Sequence, residues 1–77
     1  MRMRSVYIDL QNGRLVKSFV TVISKLQGAF ELVSDRTVLD AKSILGIYSL
    51  NLSVPLLLRI ELDTKANMEI LKDFILT

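Results

Sequence analysis

Phe30-Glu31-Leu32-Val33-Ser34-Asp35-Arg36-Thr37-Val38-Leu39-Asp40 is the stretch on which the fold turns. Phe30 and Leu32 alternate with Glu31 and Val33, the period of a strand with one buried face. Ser34-Asp35-Arg36 is turn chemistry, and Thr37 to Asp40 returns as the second arm. Strand–helix alternation on its own suggests a parallel sheet. A hairpin over residues 29–40 instead predicts an antiparallel or mixed one, because tight turns join only antiparallel neighbours.

Working outward, Ser43 has the side chain to cap a short helix over Ile44 to Ser49. Pro55 bars a helix from running through Leu52-Ser53-Val54. Leu56, Leu58, Ile60 and Leu62 then alternate with Leu57, Arg59 and Glu61, the cleanest strand pattern in the chain. Thr64 caps a last helix with an apolar stripe of Met68, Leu71 and Ile75, widened by Ile70 and Phe74.

Upstream, Leu15, Phe19, Val22, Ile23 and Leu26 fall on one helical face. The segment is rich in β-branched residues, which makes a strand a competitor. Gly28, just past the last periodic position, reads as a helix stop and decides for helix. Asn12-Gly13 supplies a turn and an N-cap, and Val6, Ile8 and Leu10 alternate with Tyr7 and Asp9 as a first strand. The order β-α-β-β-α-β-α over one domain, residues 1–77, predicts an α+β open-faced β-sandwich. Its four-stranded antiparallel sheet is covered on one side by three helices.

A chain of 77 residues buries only about 60% of the surface its unfolded form exposes, so the core must be apolar and well packed. A hydrophobic content of 51% meets that demand. There is no cysteine, hence no disulfide and no thiolate ligand, which fits a reducing, cytoplasmic setting. There is no histidine either, which excludes an imidazole base, an imidazole ligand and a phosphohistidine. The 8 carboxylates are scattered, with no acid/base pair, phosphate loop or metal-ligand cluster, so the reading is a non-enzyme without metal or cofactor.

Val54-Pro55-Leu56-Leu57-Leu58 is the longest apolar run, far short of the roughly 20 residues of a membrane span. Arg2 and Arg4 are followed by Asp9, Gln11 and Asn12, which break any signal-peptide core. A net charge of +2, dispersed Lys and Arg, and only 2 Tyr and 3 Phe give no nucleic-acid signature. Binding to another protein is the function class that remains.

Ala41-Lys42-Ser43-Ile44-Leu45-Gly46-Ile47-Tyr48-Ser49-Leu50 resembles the HPr family, the small phosphocarriers of the bacterial sugar phosphotransferase system. Members of that family typically carry Lys-Ser-Ile-Met-Gly-Val-Met-Ser-Leu at the start of the second helix. Leu45 and Tyr48 stand here in place of the methionines. The resemblance extends to the order of elements and to Phe19-Val20 in the first helix. It fails at the family's Gly-Leu-His-Ala-Arg-Pro motif. Counting back from Ser43 places Asn12 at the histidine position and Arg14 at the arginine, whereas aligning the first strand deletes that position altogether. An amide nitrogen such as that of Asn12 is not a nucleophile, because its lone pair is delocalised into the carbonyl. The phosphohistidine relay is therefore excluded.

Ser43 carries two readings: an N-cap worth about 1 kcal/mol, and a regulatory phosphorylation site, which the resemblance implies because the matching serine is phosphorylated in many family members. Ile44, Leu45 and Tyr48 share one side of a short helix, and Ile47 can face the sheet. They are either all core or a partner-binding patch, as the matching residues are in the phosphocarriers. Asn12, Gly13 and Arg14 form either an anion site using free N–H groups or a turn with a solvated arginine. Asp35-Arg36 and Asp63-Thr64-Lys65 read as turn and cap. Arg2, Arg4 and Arg59 read as a basic face or as solvated edge-strand charge.

The expectation is an HPr-like regulatory or adaptor protein whose partners are an HPr kinase or other phosphotransferase-system and regulatory proteins. The alternative is a structural, self-associating module, a homodimer through the same patch.

Overall fold

The computed structural model describes residues 3–76. Strand β1 (Arg4–Ile8) leads through a 3-10 turn at Gln11–Gly13 into helix α1 (Val16–Ile23). A hairpin of β2 (Phe30–Ser34) and β3 (Thr37–Asp40) follows, then helix α2 (Ile44–Tyr48), strand β4 (Leu56–Ile60) and helix α3 (Lys65–Leu71). The sheet has the order β1-β4-β2-β3, with every neighbouring pair antiparallel. The last strand in sequence is thus inserted between the first and the hairpin. The β-α-β-β-α-β-α order and the antiparallel open-faced architecture match the sequence expectation.

Burial follows from strand alternation. Leu56, Leu58 and Ile60 of β4 are buried, as are Phe30 and Leu32 of β2 and Ile8 of β1. These side chains meet Val16, Phe19 and Ile23 of α1, Ile47 of α2 and Leu71 of α3 in one core. Phe19 stands edge-on to Phe74, with ring centroids 5.3 Å apart and planes at 80°. Among the described residues none that is polar or charged is buried, so the core gains its apolar burial without unpaired polar side chains to offset it.

Element ends differ from the sequence reading. Helix α1 ends at Ile23, with Ser24 as its C-cap, so Gly28 is not the stop. Gly28 instead adopts φ +98° and turns the chain into β2. Leu15, not Asn12, is the N-cap residue of α1, and it makes no side-chain capping bond. Helix α3 ends at Leu71, after which Phe74 and Leu71 remain buried but Ile70 is exposed. Ile75 leaves the helix altogether and bridges to Ile8, while Leu76 N donates to Tyr7 O and Asp9 N to Phe74 O. The chain's last described residues therefore cover part of the outer edge of β1. Leu62 lies beyond β4, against Gly28.

No basic face forms among the described residues. Arg59 lies on the central strand β4, directly opposite Glu31, and pairs with its carboxylate at 3.3 Å. Arg4 faces Asp63 at 3.8 Å, and Arg2 lies outside the described residues. Both ion pairs are exposed and worth little in stability.

Candidate functional site

Helix α2 is pinned at its start by its own sequence. Asp40 Oδ1 accepts from Lys42 N at 2.9 Å, and Asp40 O accepts from Ser43 N at 3.0 Å, so the end of β3 aims the chain into the helix. Ser43 is the N-cap: its Oγ accepts from Gly46 N at 3.3 Å. Lys42 Nζ reaches back to Leu26 O at 2.9 Å and lies 5.7 Å from the centroid of the Phe30 ring. It ties α2 to the chain leaving α1. The sequence reading missed Lys42, because a lysine beside a serine cap carries no signal that a distant carbonyl awaits it.

A helix this short divides sharply into two sides. Ile47 is fully buried and Ile44 is half-buried against the core, whereas Leu45 is 81% exposed and Tyr48 50%. Ile47 therefore belongs to the core and drops out of the expected surface, since i, i+3 spacing puts it beneath Ile44 on the sheet side. Leu45 and Tyr48, spaced the same way, make up the outer stripe, with Ser43 exposed at its start. The patch is smaller than the sequence reading allowed. It is still apolar, and it stands in water.

The loop at Gln11–Arg14 lies beside this stripe. A methyl group at Gly13 would sit 3.9 Å from Tyr48 Cε1 and 3.3 Å from Leu52 Cδ1. Gln11, Asn12 and Gly13 take φ of 50°, 58° and 94°, three successive left-handed residues. Their backbone donors are all engaged: Gln11 N with Asp9 Oδ1, Asn12 N with Leu52 O, and Gly13 N with Leu10 O. Arg14 N and Leu15 N donate to Gln11 O and Leu10 O. An anion beside Arg14 would find none of these five donors free, and Asp9 lines the same shallow depression as Arg14. The turn reading of Asn12 and Arg14 holds, and the anion-site reading is set aside on this geometry.

Among the described residues no group of three or more carboxylates is placed to hold a metal ion, and no helix is long and apolar enough to cross a membrane. No protein-family model matches the chain, and neither does any curated protein. Among solved structures, the crystal structure of HPr-C-His from Thermoanaerobacter tengcongensis is similar at a TM-score of 0.71 and 29% sequence identity. The similarity covers 95% of this chain and 89% of that one. The strand order, the helices on one face and this likeness over nearly the whole length agree: the chain has an HPr-like fold, an open-faced α+β sandwich.

Proposed function

We propose that this HPr-like chain acts by binding another protein through Leu45, Tyr48 and the exposed part of Ile44, with Ser43 as a phosphorylation switch at the edge of that surface. The observation that carries this reading is the 81% exposure of Leu45 on a helix whose neighbouring Ile47 is wholly buried. A leucine and a tyrosine held outward on a pinned helix have no role in the core, and exposed apolar clusters mark interaction surfaces. Tyr48 adds a large, rigid contact with a polar tip, the kind of side chain enriched at interfaces. A phosphate on Ser43 would set a charge of about −2 beside this apolar stripe, opposing an acidic partner and recruiting a basic one.

Titration of isotopically labelled protein with an HPr kinase tests the surface. Resonances of residues 43–48 should shift on binding. Leu45→Asp and Tyr48→Asp should each weaken binding at least tenfold while changing stability by only about 0.5 kcal/mol, as exposed substitutions do. Shifts confined to other surfaces would sink the docking assignment. With ATP added, the kinase should attach one phosphate, and Ser43→Ala should prevent it. An unmodified wild type would remove the switch from the proposal and leave the docking surface to stand on the titration.

The relay itself should be dead. A phosphoenolpyruvate-charged donor should leave the protein's mass unchanged, since the chain holds no histidine. Any acid-labile phosphoryl adduct would contradict this.

A further inference from the structure

The sheet's open face carries a feature that no single strand reveals. Register places Tyr7 opposite Leu57, Leu57 opposite Val33, and Val33 opposite Val38, an apolar row across all four strands. It ends at Val38, which is 53% exposed on β3. Beside it runs a second row: Ser5, Arg59, Glu31 and Asp40. Glu31 is neutralised by Arg59, but Asp40 lies directly across from Glu31 and makes no ion pair among the described residues. Arg36, at the hairpin turn, makes none either. Asp40, whose Oδ1 accepts from Lys42 N, ends the row as a carboxylate with a backbone donor and no cation across from it.

We propose that β3 is the seam of a homodimer, in which the β3 strands of two copies pair antiparallel about a two-fold axis at Val38. That register sets Val38 against its own copy and Arg36 of each chain opposite Asp40 of the other. The sequence Arg36-Thr37-Val38-Leu39-Asp40 is self-complementary in this direction only, because a parallel pairing would oppose arginine to arginine. Backbone geometry agrees. Ala41 N donates to Phe30 O, so the donors that point inward to β2 belong to Ala41 and, by alternation, to Leu39 and Thr37. The amides of Val38 and Asp40 therefore point outward; of the carbonyls on that side, Asp40 O already accepts from Ser43 N and keeps one lone pair for a partner. The apolar row and the charged row both continue into the second copy, the latter gaining its missing arginine. The β1 edge is partly occupied by the chain's own Phe74–Leu76 segment, which leaves β3 as the side on which the sheet extends. This seam is independent of the α2 surface.

The interface is small, well under the roughly 800 Å² per partner of a standard complex, so its dissociation constant is expected to lie near 100 µM to 1 mM. Sedimentation equilibrium over that range should show the mass rising from monomer toward dimer. Val38→Pro should abolish dimerisation while leaving the far-UV spectrum unchanged, since it removes only an outward-facing donor. Arg36→Glu and Asp40→Lys should each weaken self-association about tenfold by opposing like charges. Mixed in equal amounts, those two variants should form a heterodimer at least as readily as wild type dimerises, a rescue that no folding defect produces. A mass that stays monomeric up to millimolar protein overturns the proposal. So does a dimer that survives Val38→Pro, or one that is lost with Tyr48→Asp instead.

Discussion

Phe19→Ala is expected to cost about 3–5 kcal/mol and leave a large part of the protein unfolded at ambient temperature. Phe19 is fully buried at the centre of α1, edge-on to the ring of Phe74, and it is among the largest side chains in the core. Its removal takes away both transfer free energy and a packed volume that a close-packed interior does not refill. A chain of 77 residues has on the order of 4–12 kcal/mol of stability to begin with, so one such cavity consumes much of it. Urea titration measures the loss directly. Phe74 is itself 8% exposed at the chain's end, so Phe74→Leu should cost less. The Phe19/Phe74 double variant should show a coupling of about 0.5–1.5 kcal/mol, the share owed to the edge-on ring contact. A cost under about 1.5 kcal/mol for Phe19→Ala would mean that the core is not organised around this ring.

The pattern that located Phe19 is also the pattern that made most of the fold legible. Period-2 alternation in Leu56–Ile60 and Phe30–Ser34 reports which side of each strand is dry, and the helical spacing finds Phe19 and Ile23 but puts half-buried Leu15 and Val22 on the dry face in place of the fully buried Val16. Caps were legible too, because Ser43 and Thr64 act on donors within their own first turn. The ends that differ are set by contacts between distant residues. Helix α1 stops at Ile23 even though Leu26 keeps the apolar spacing and is itself buried. Ile75 fits the stripe of α3, yet it pairs with Ile8, because the edge of β1 offers backbone partners that no local pattern announces.

The candidate site divides in the same way. That some of Ile44, Leu45, Ile47 and Tyr48 must face water followed from a helix too short and too apolar to bury them all. Which ones do depends on where the sheet lies, and the structure assigns Ile47 inward and Leu45 and Tyr48 outward. The apolar row on the open face escaped sequence reading for a related reason. Val33 and Leu57 each read as the wet half of an alternation, Val38 sits in an arm to which the sequence assigns no face, and only the register brings the three side by side with Tyr7. Asn12-Gly13 misled as a cap, because the left-handed conformation that favours such residues was used for a turn before the helix rather than for its first residue.

Gly28→Ala is expected to destabilise the protein by about 2–3 kcal/mol, a large effect for the addition of one methyl group. Two costs add there. Gly28 has φ +98°, where an L side chain is strained whatever space surrounds it. The new Cβ would also stand 3.0 Å from Leu62 Cγ, 3.1 Å from its Cδ1 and 3.2 Å from its Cβ, overlaps that a turn of the leucine's outer atoms relieves only in part. Nor can the backbone retreat. Ala29 N donates to the Glu61 carboxylate at 2.9 Å and Glu61 N to Ala29 O at 3.1 Å, so the residues after Gly28 and before Leu62 are clasped together. Chemical denaturation of Gly28→Ala, Leu62→Ala and the double variant separates the terms. The double variant should recover the overlap, about 1 kcal/mol, and retain the backbone strain. Gly13→Ala is the internal comparison: its φ is +94°, but its Cβ meets the tip of Leu52 at 3.3 Å and Tyr48 Cε1 at an ordinary 3.9 Å, so it should lose less than Gly28→Ala. Equal losses at the two glycines, or no recovery in the double variant, would show that backbone strain alone governs the site and that the Leu62 contact contributes nothing.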